Sequence, residues 1–133
     1  MATIPETHQD LLAFETKAFA NLATVQPDGT PQVTPVWFDY AGDVIRVNTA
    51  KGRVKARNMK EGASVALSIM DPDNAYRYIQ VRGRVKRVTE NGADAHIDSL
   101  AKKYIDQDKY PWRRPGETRV TYEIEPTAVQ AMG

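Results

Sequence analysis

Phe19-Ala-Asn-Leu-Ala-Thr-Val25, Pro27-Asp-Gly29, Gln32-Val-Thr-Pro-Val-Trp-Phe-Asp-Tyr40, Ala41-Gly-Asp43 and Val44-Ile-Arg-Val-Asn-Thr49 form the stretch that decides the fold class. Three runs rich in β-branched and aromatic residues are divided by two tight-turn signals, which predicts a three-strand antiparallel meander. Turns this short leave no room for the crossover helix that a parallel pair requires. Further along, residues 64–70, 76–88 and 118–125 read as three more strands, with Asp71-Pro-Asp-Asn74 as the turn between the first two. Gly83 marks a bulge or tight bend inside the long strand. Helices are expected over residues 5–18 (Leu11, Leu12, Phe14 and Ala18 inward), just after Thr49, and over 94–105, where Ile97, Leu100, Ala101, Tyr104 and Ile105 recur at helical spacing. Six strands with few short helices predict an all-β chain, a small closed or half-closed antiparallel barrel in one domain over 1–133.

Composition narrows the function. The chain has 133 residues, 41% apolar and 26% charged, an ordinary globular balance. A net charge of +1 argues against a general nucleic-acid binder, which carries a broad basic excess. The absence of cysteine excludes disulfides, thiolate catalysis and Cys-based metal sites. Only His8 and His96 occur, with no metal-ligand pairing, so no metal is expected. The start of the chain has neither a basic region nor an apolar run, and no stretch approaches the roughly 20 apolar residues of a membrane helix. A cytoplasmic, soluble protein is therefore expected. No Ser-His-acid set can be nominated: His8 lies near the start and His96 reads as a surface residue. Turns and helix ends account for Asp71, Asp73, Asp94, Asp98, Asp106 and Asp108. No catalytic residue is assigned, and a hydrolase is disfavoured.

One segment carries concentrated charge. Lys51, Arg53, Lys55, Arg57 and Lys60 fall within ten positions at a strand-to-helix transition, where Thr49 or Gly52 could cap the helix. Guanidinium forks match phosphate or carboxylate oxygens in pairs, so the segment reads either as a phosphate cradle or as a solvated basic helix face. Pro35 sits inside a predicted strand, which places that strand at an edge or a bulge and leaves the backbone of 34–36 free for a ligand. Trp37 and Phe38 suit a core or a subunit interface. Tyr76, Tyr78 and Trp112 could stack on a flat ring or serve structurally. A phosphate cradle, flat apolar surfaces and no acid–base set suit the holding of a redox cofactor, which brings its own reactivity.

Several motifs together resemble the pyridoxamine-phosphate-oxidase-like split-barrel flavoproteins, and more closely their branch of actinobacterial reductases that use the deazaflavin F420. They are Phe19 to Gly29, Pro31 to Phe38, Asn48-Thr49, Lys51 to Asn58, Asp71 to Tyr78, Val81 to Val85 and Arg119 to Pro126. The resemblance covers nearly the whole chain. It implies a six-stranded split β-barrel, homodimeric, with cofactor sites at the subunit interface. By it, Arg53 and Lys55 grip the cofactor phosphate, with Arg57 and Asn58 close by. Gln32, Thr34, Pro35 and Val36 run beside the isoalloxazine-like ring, and Thr49 and Lys51 stand at the entrance of the same loop. Tyr78, Tyr76 or Trp112 would reach in from the second subunit. The implied activity is an F420H2-dependent reductase passing a hydride from the reduced deazaflavin to a flat, conjugated, electron-poor small molecule. The alternatives are an FMN-dependent oxidoreductase of the same fold and a non-catalytic F420- or FMN-binding protein. Nothing after Glu125 resembles the basic substrate-binding C-terminal region of the true pyridoxamine phosphate oxidases, which speaks against vitamin B6 oxidation. FMN and F420 proteins share the phosphate site, so Arg53 and Lys55 alone do not select the cofactor.

Overall fold

In the computed structural model, which describes residues 2–133, Ala20–Val25 (β1) and Pro31–Val36 (β2) form the first hairpin. Asp28 shapes its turn: Oδ1 accepts from the Thr30 amide at 3.0 Å and the Thr30 hydroxyl at 2.6 Å, and Gly29 takes a φ of 88°. Phe38–Ala41 (β3) and Val44–Ala50 (β4) form the second hairpin. The run read as one second strand is thus broken at Trp37, and the expected three-strand meander does not form.

The consequence is architectural. Ser64–Asp71 (β5), Asn74–Thr89 (β6) and Arg119–Met132 (β7) complete a fully antiparallel sheet ordered β2-β1-β5-β6-β7-β4-β3. Its two outermost strands are neighbours in sequence, separated only by Trp37. Two peptide units span at most roughly 7 Å, so the sheet must curl until its ends nearly meet. This is the split barrel, six-stranded if the interrupted β2–β3 segment is counted once. Pro35 supplies the local reason for the edge position, since it cannot donate to a second neighbour. Behind the break, the Phe38 amide donates to the Tyr104 hydroxyl at 3.2 Å and the Phe38 carbonyl accepts from Lys103 Nζ at 2.9 Å.

Inside the barrel, Leu22, Phe38, Ile45, Leu67, Ile69, Ile79, Val81 and Ile124 are fully buried. They alternate with outward residues along each strand, as a sheet with one buried face requires. β6 and β7 form the longest ladder, bent by irregularities between Arg82 and Gly83 and between Val85 and Arg87. A Cβ at Gly83 would stand 2.8 Å from both Glu125 O and Ile124 Cγ2, so the close approach of β7 requires glycine there.

The helices differ from expectation in three respects. Residues 5–18 do not form one helix: a 3-10 helix covers Glu6–Leu12, and Ala13 is extended. Arg77 Nη2 takes the Thr7 carbonyl at 2.6 Å, which removes an acceptor that a regular helix would use. Leu11, Leu12 and Ala18 are buried as expected, but Phe14 is 51% exposed. The basic helix is short, Val54–Asn58 (α1), and Arg53 precedes it without a side-chain cap. Neither Thr49 nor Gly52 caps it. The second helix, Ala93–Ile105 (α2), packs Ile97, Leu100 and Tyr104 against Trp37 and Tyr110 in a second apolar cluster. Both histidines are buried, His96 contrary to its expected surface placement. His8 Nε2 lies 3.0 Å from the Met132 carbonyl, and His96 is enclosed between α2, β4 and β7. Among the described residues, no helix is long and apolar enough to cross a membrane.

Candidate functional site

The break at Trp37 opens a cleft of about 220 Å3, where the chain end of β2, the start of α1, α2 and the loop before β7 converge. One pole is cationic, formed by Arg53, Lys55 and Arg119. Phe19, Trp37, Tyr110 and Trp112 supply aromatic rings to the same lining, with Pro35 and Val36.

Each cation is positioned differently. Lys55 Nζ donates to Thr34 Oγ1 at 3.3 Å. Burial pulls its ammonium below the usual lysine range, and the nearby Arg53 and Arg119 charges pull it further. Like charges held this close favour an anion between them. Arg119, whose side chain is only 4% exposed, donates Nε to Asn48 Oδ1 and Nη1 to Glu117 Oε1, both at 2.9 Å. Its guanidinium carbon stands 5.1 Å over the Tyr110 ring.

Tyr104 organises the aromatic wall from behind. Trp37 stacks on it at 5.3 Å between centroids with planes 5° apart, and Phe19 meets it edge-on at 5.2 Å. Tyr104 donates its hydroxyl proton to the Ala18 carbonyl at 2.5 Å while accepting from the Phe38 amide. Burial raises its phenol above the ordinary tyrosine value. Lys103 lies beneath, 4.4 Å from the Phe38 ring centroid, and burial pulls its ammonium down to about 8 against the opposing pull of Asp39 and Glu15. Tyr110 and Trp112 close the wall from the loop before β7. The Tyr110 amide donates to Asp98 Oδ1 at 2.8 Å, and Arg113 binds the same carboxylate, so α2 anchors this loop.

The sequence-nominated residues separate into groups. Pro35, Val36, Arg53 and Lys55 line the cleft, and Thr34 touches it through Lys55. Gln32 and Asn58 meet elsewhere: Asn58 Nδ2 donates to Thr24 Oγ1 at 3.1 Å, and that hydroxyl donates to Gln32 Oε1 at 3.0 Å, tying α1 to β1 and β2. Lys51 and Arg57 line a separate groove with Lys60, Val88 and Tyr122, where Lys51 pairs with Glu90 at 3.0 Å. The side chain of Thr49 is buried, one residue out of phase with Asn48 on β4, and its hydroxyl has no hydrogen-bond partner among the described residues. Tyr78, on β6 between Met70 and Met132, does not line the cleft, and Tyr76 is exposed. The five cations therefore do not form one cradle: Arg53 and Lys55 line the cleft, whereas Lys51, Arg57 and Lys60 line the separate groove.

Sequence reasoning missed Phe19, Asn48, Ile97, Tyr110 and Arg119. For Arg119 a signal existed. Val120, Tyr122 and Ile124 mark one face of the last strand, so Arg119 and Thr121 must occupy the other. The β4–β7 register, Asn48 opposite Thr121 and Ala50 opposite Arg119, then brings Arg119 to the cleft.

Comparison with known proteins bears on the family and the fold. Residues 4–133 match the family model described as pyridoxamine 5'-phosphate oxidase. A solved F420 reductase is similar over 96% of this chain and 98% of its own, with 39% sequence identity and a TM-score of 0.81. A curated relative, pyridoxine/pyridoxamine 5'-phosphate oxidase 2 of Ralstonia nicotianae (strain ATCC BAA-1114 / GMI1000), is 37% identical over 86 residues. That match covers 61% of this chain and 38% of the relative's length. An FAD- and heme-binding protein from Mycobacterium smegmatis shares the fold at 20% identity, with a TM-score of 0.62, over 99% of this chain and 68% of its own. The chain is a split-barrel member of the pyridoxamine 5'-phosphate oxidase family.

Proposed function

We propose that the chain is an F420H2-dependent reductase acting on flat, conjugated, electron-poor small molecules. The observation that carries this reading is the convergence of Arg53, Lys55 and Arg119 in a cleft that Phe19, Trp37, Tyr110 and Trp112 also line. These residues fit a cofactor with a phosphate and a planar ring, and the 39% identity to an F420 reductase favours the deazaflavin. Arg53, Lys55 and Arg119 would hold the phosphate, each charge-assisted bond being worth about 1.5–3 kcal/mol. Pro35 and Val36 would run beside the ring, and Trp37, fixed by Tyr104, would bound the space above it.

When bound, the reduced deazaflavin would supply the hydride. The protein's part is to orient the acceptor near contact distance, about 3–3.5 Å, and to exclude water from the ring face. FMN in the same site is the second reading, favoured by the match to the pyridoxamine 5'-phosphate oxidase family model. Titration of cofactor-free protein with F420 and with FMN, followed by Trp37 and Trp112 fluorescence, separates the two. Tight F420 and weak FMN binding supports the reductase. The reverse preference moves the chain to the flavin oxidoreductases, and binding of neither removes the cofactor site.

A homodimer is part of the same proposal. At about 220 Å3 the cleft falls short of pockets that enclose a whole ligand, which span about 300–1,000 Å3. A second copy seated on the outer face of β1 and β2, where Val25 and Val33 stand exposed, would complete it. Sedimentation should give a dimer for the native chain and a shift towards monomer for Val33→Glu. A native monomer would contradict this.

A further inference from the structure

The groove that holds the other three cations of the basic segment has a chemistry of its own. It runs where α1 meets the β6–β7 ladder, and at about 320 Å3 it is larger than the cleft. Val120 and Tyr122 stand two apart on β7 and so share a face, and Val88 lies opposite Tyr122 on β6. The Tyr122 hydroxyl donates to the Ala56 carbonyl at 3.4 Å, which ties α1 across this face. Val120 and Tyr122 are each 3% exposed and Val88 and Ala56 are half-buried, whereas Lys51, Arg57 and Lys60 are exposed. Apolar side chains therefore lie deep, and the cations lie at the surface. Among the described residues that line the groove, Glu90 is the single acid, and Lys51 meets it at 3.0 Å. Arg57 and Lys60 are left without a counter-charge in the groove.

We propose that this groove is a binding site for an aliphatic carboxylate, with the headgroup on Arg57 and Lys60 and the alkyl chain against Val88, Val120 and Ala56. Charge complementarity selects an anion, and the guanidinium fork of Arg57 matches the two oxygens of a carboxylate. The apolar lining selects a ligand with a hydrocarbon body over a bare inorganic ion, whose charge it would leave poorly solvated. Tyr122 is too enclosed to offer a ring face, so an alkyl chain suits the groove where the aromatic rings of the cleft suit a flat one. The volume falls within the range of about 300–1,000 Å3 typical of small-molecule sites. The inference goes beyond the reductase reading and does not depend on it, because none of Arg53, Lys55 and Arg119 lines this groove.

Isothermal titration of the full chain with butyrate, hexanoate and octanoate tests this, with octylammonium and hexaglutamate as comparison probes. Octanoate should bind saturably at a single site, and affinity should rise along the series by up to about fourfold per added methylene. Backbone amide NMR shifts should cluster at Ala56, Arg57, Val88 and Val120. Arg57→Ala and Lys60→Ala, exposed positions whose replacement leaves the core intact, should each weaken octanoate about three- to tenfold, and the double variant more than either. Arg53→Ala, which alters only the cleft, should bind octanoate as the native chain does. Octanoate binding lost in Arg53→Ala but kept in Arg57→Ala would place the carboxylate in the cleft and overturn the proposal. So would equal affinity for octylammonium, which marks non-specific partitioning, or binding of hexaglutamate without octanoate, which marks a surface for polyanions. Absence of saturable octanoate binding also overturns it. Failure of F420 to bind, by contrast, removes the reductase reading and leaves this site standing.

Discussion

Lys103 shows how a single side chain reports on the wall behind the cleft. Its ammonium is buried under Phe38 and Tyr104 and loses its proton near 8, whereas the unfolded chain holds that proton to about 10.5. Between those values the unfolded state binds more protons than the folded one, so stability rises with pH across the window. The gain is at most about 3 kcal/mol, read as the difference between the native chain and Lys103→Met in denaturant titrations from pH 7.5 to 10. A flat difference would show that the ammonium is solvated. Tyr104→Phe tests the neighbouring residue: it keeps the ring under Trp37 but leaves the Ala18 carbonyl and Phe38 amide without the hydroxyl. A loss of about 1–3 kcal/mol is expected by urea unfolding. At this scale the sequence was legible where chemistry is local, as with Arg53, Lys55 and the proline edge. Arg119 and Asn48 escaped because their roles depend on the β4–β7 register, which the pattern of neither strand specifies.

Elements carry the next level of constraint. The ladder between β6 and β7 bends at Gly83, where β7 passes too close for a side chain. Gly83→Ala should cost at least about 1–3 kcal/mol through overpacking, measured by thermal or urea unfolding, while Gly29→Ala in the open hairpin turn meets no atom and carries only the strain of its positive φ. Equal costs at the two positions would contradict the packing account. Most strands and the helix over 94–105 were readable from alternation and helical spacing. The break at Trp37 was not, because residues 32–40 keep strand composition throughout. Only the sheet order reveals that β2 and β3 serve opposite edges. The first helix failed for a tertiary reason, Arg77 drawing on Thr7 and Asp10 from β6.

For the whole molecule, the one-residue link between the outermost strands curls the sheet, and the cleft lies at that closure. The same geometry sorts the basic segment. Arg53 and Lys55 turn into the cleft with Arg119, while Lys51, Arg57 and Lys60 turn to a groove on the other side of α1. The segment therefore divides between the cleft and a separate basic surface, a division that no count of charges along the chain could show. The most direct test compares the F420 affinity of Arg53→Ala with that of Arg57→Ala, four positions apart on the same segment. Loss of a phosphate-binding guanidinium should weaken F420 about ten- to a hundredfold in Arg53→Ala and leave Arg57→Ala near the native value. Equal affinities in the two variants, or a larger loss in Arg57→Ala, would contradict the cleft as the cofactor site.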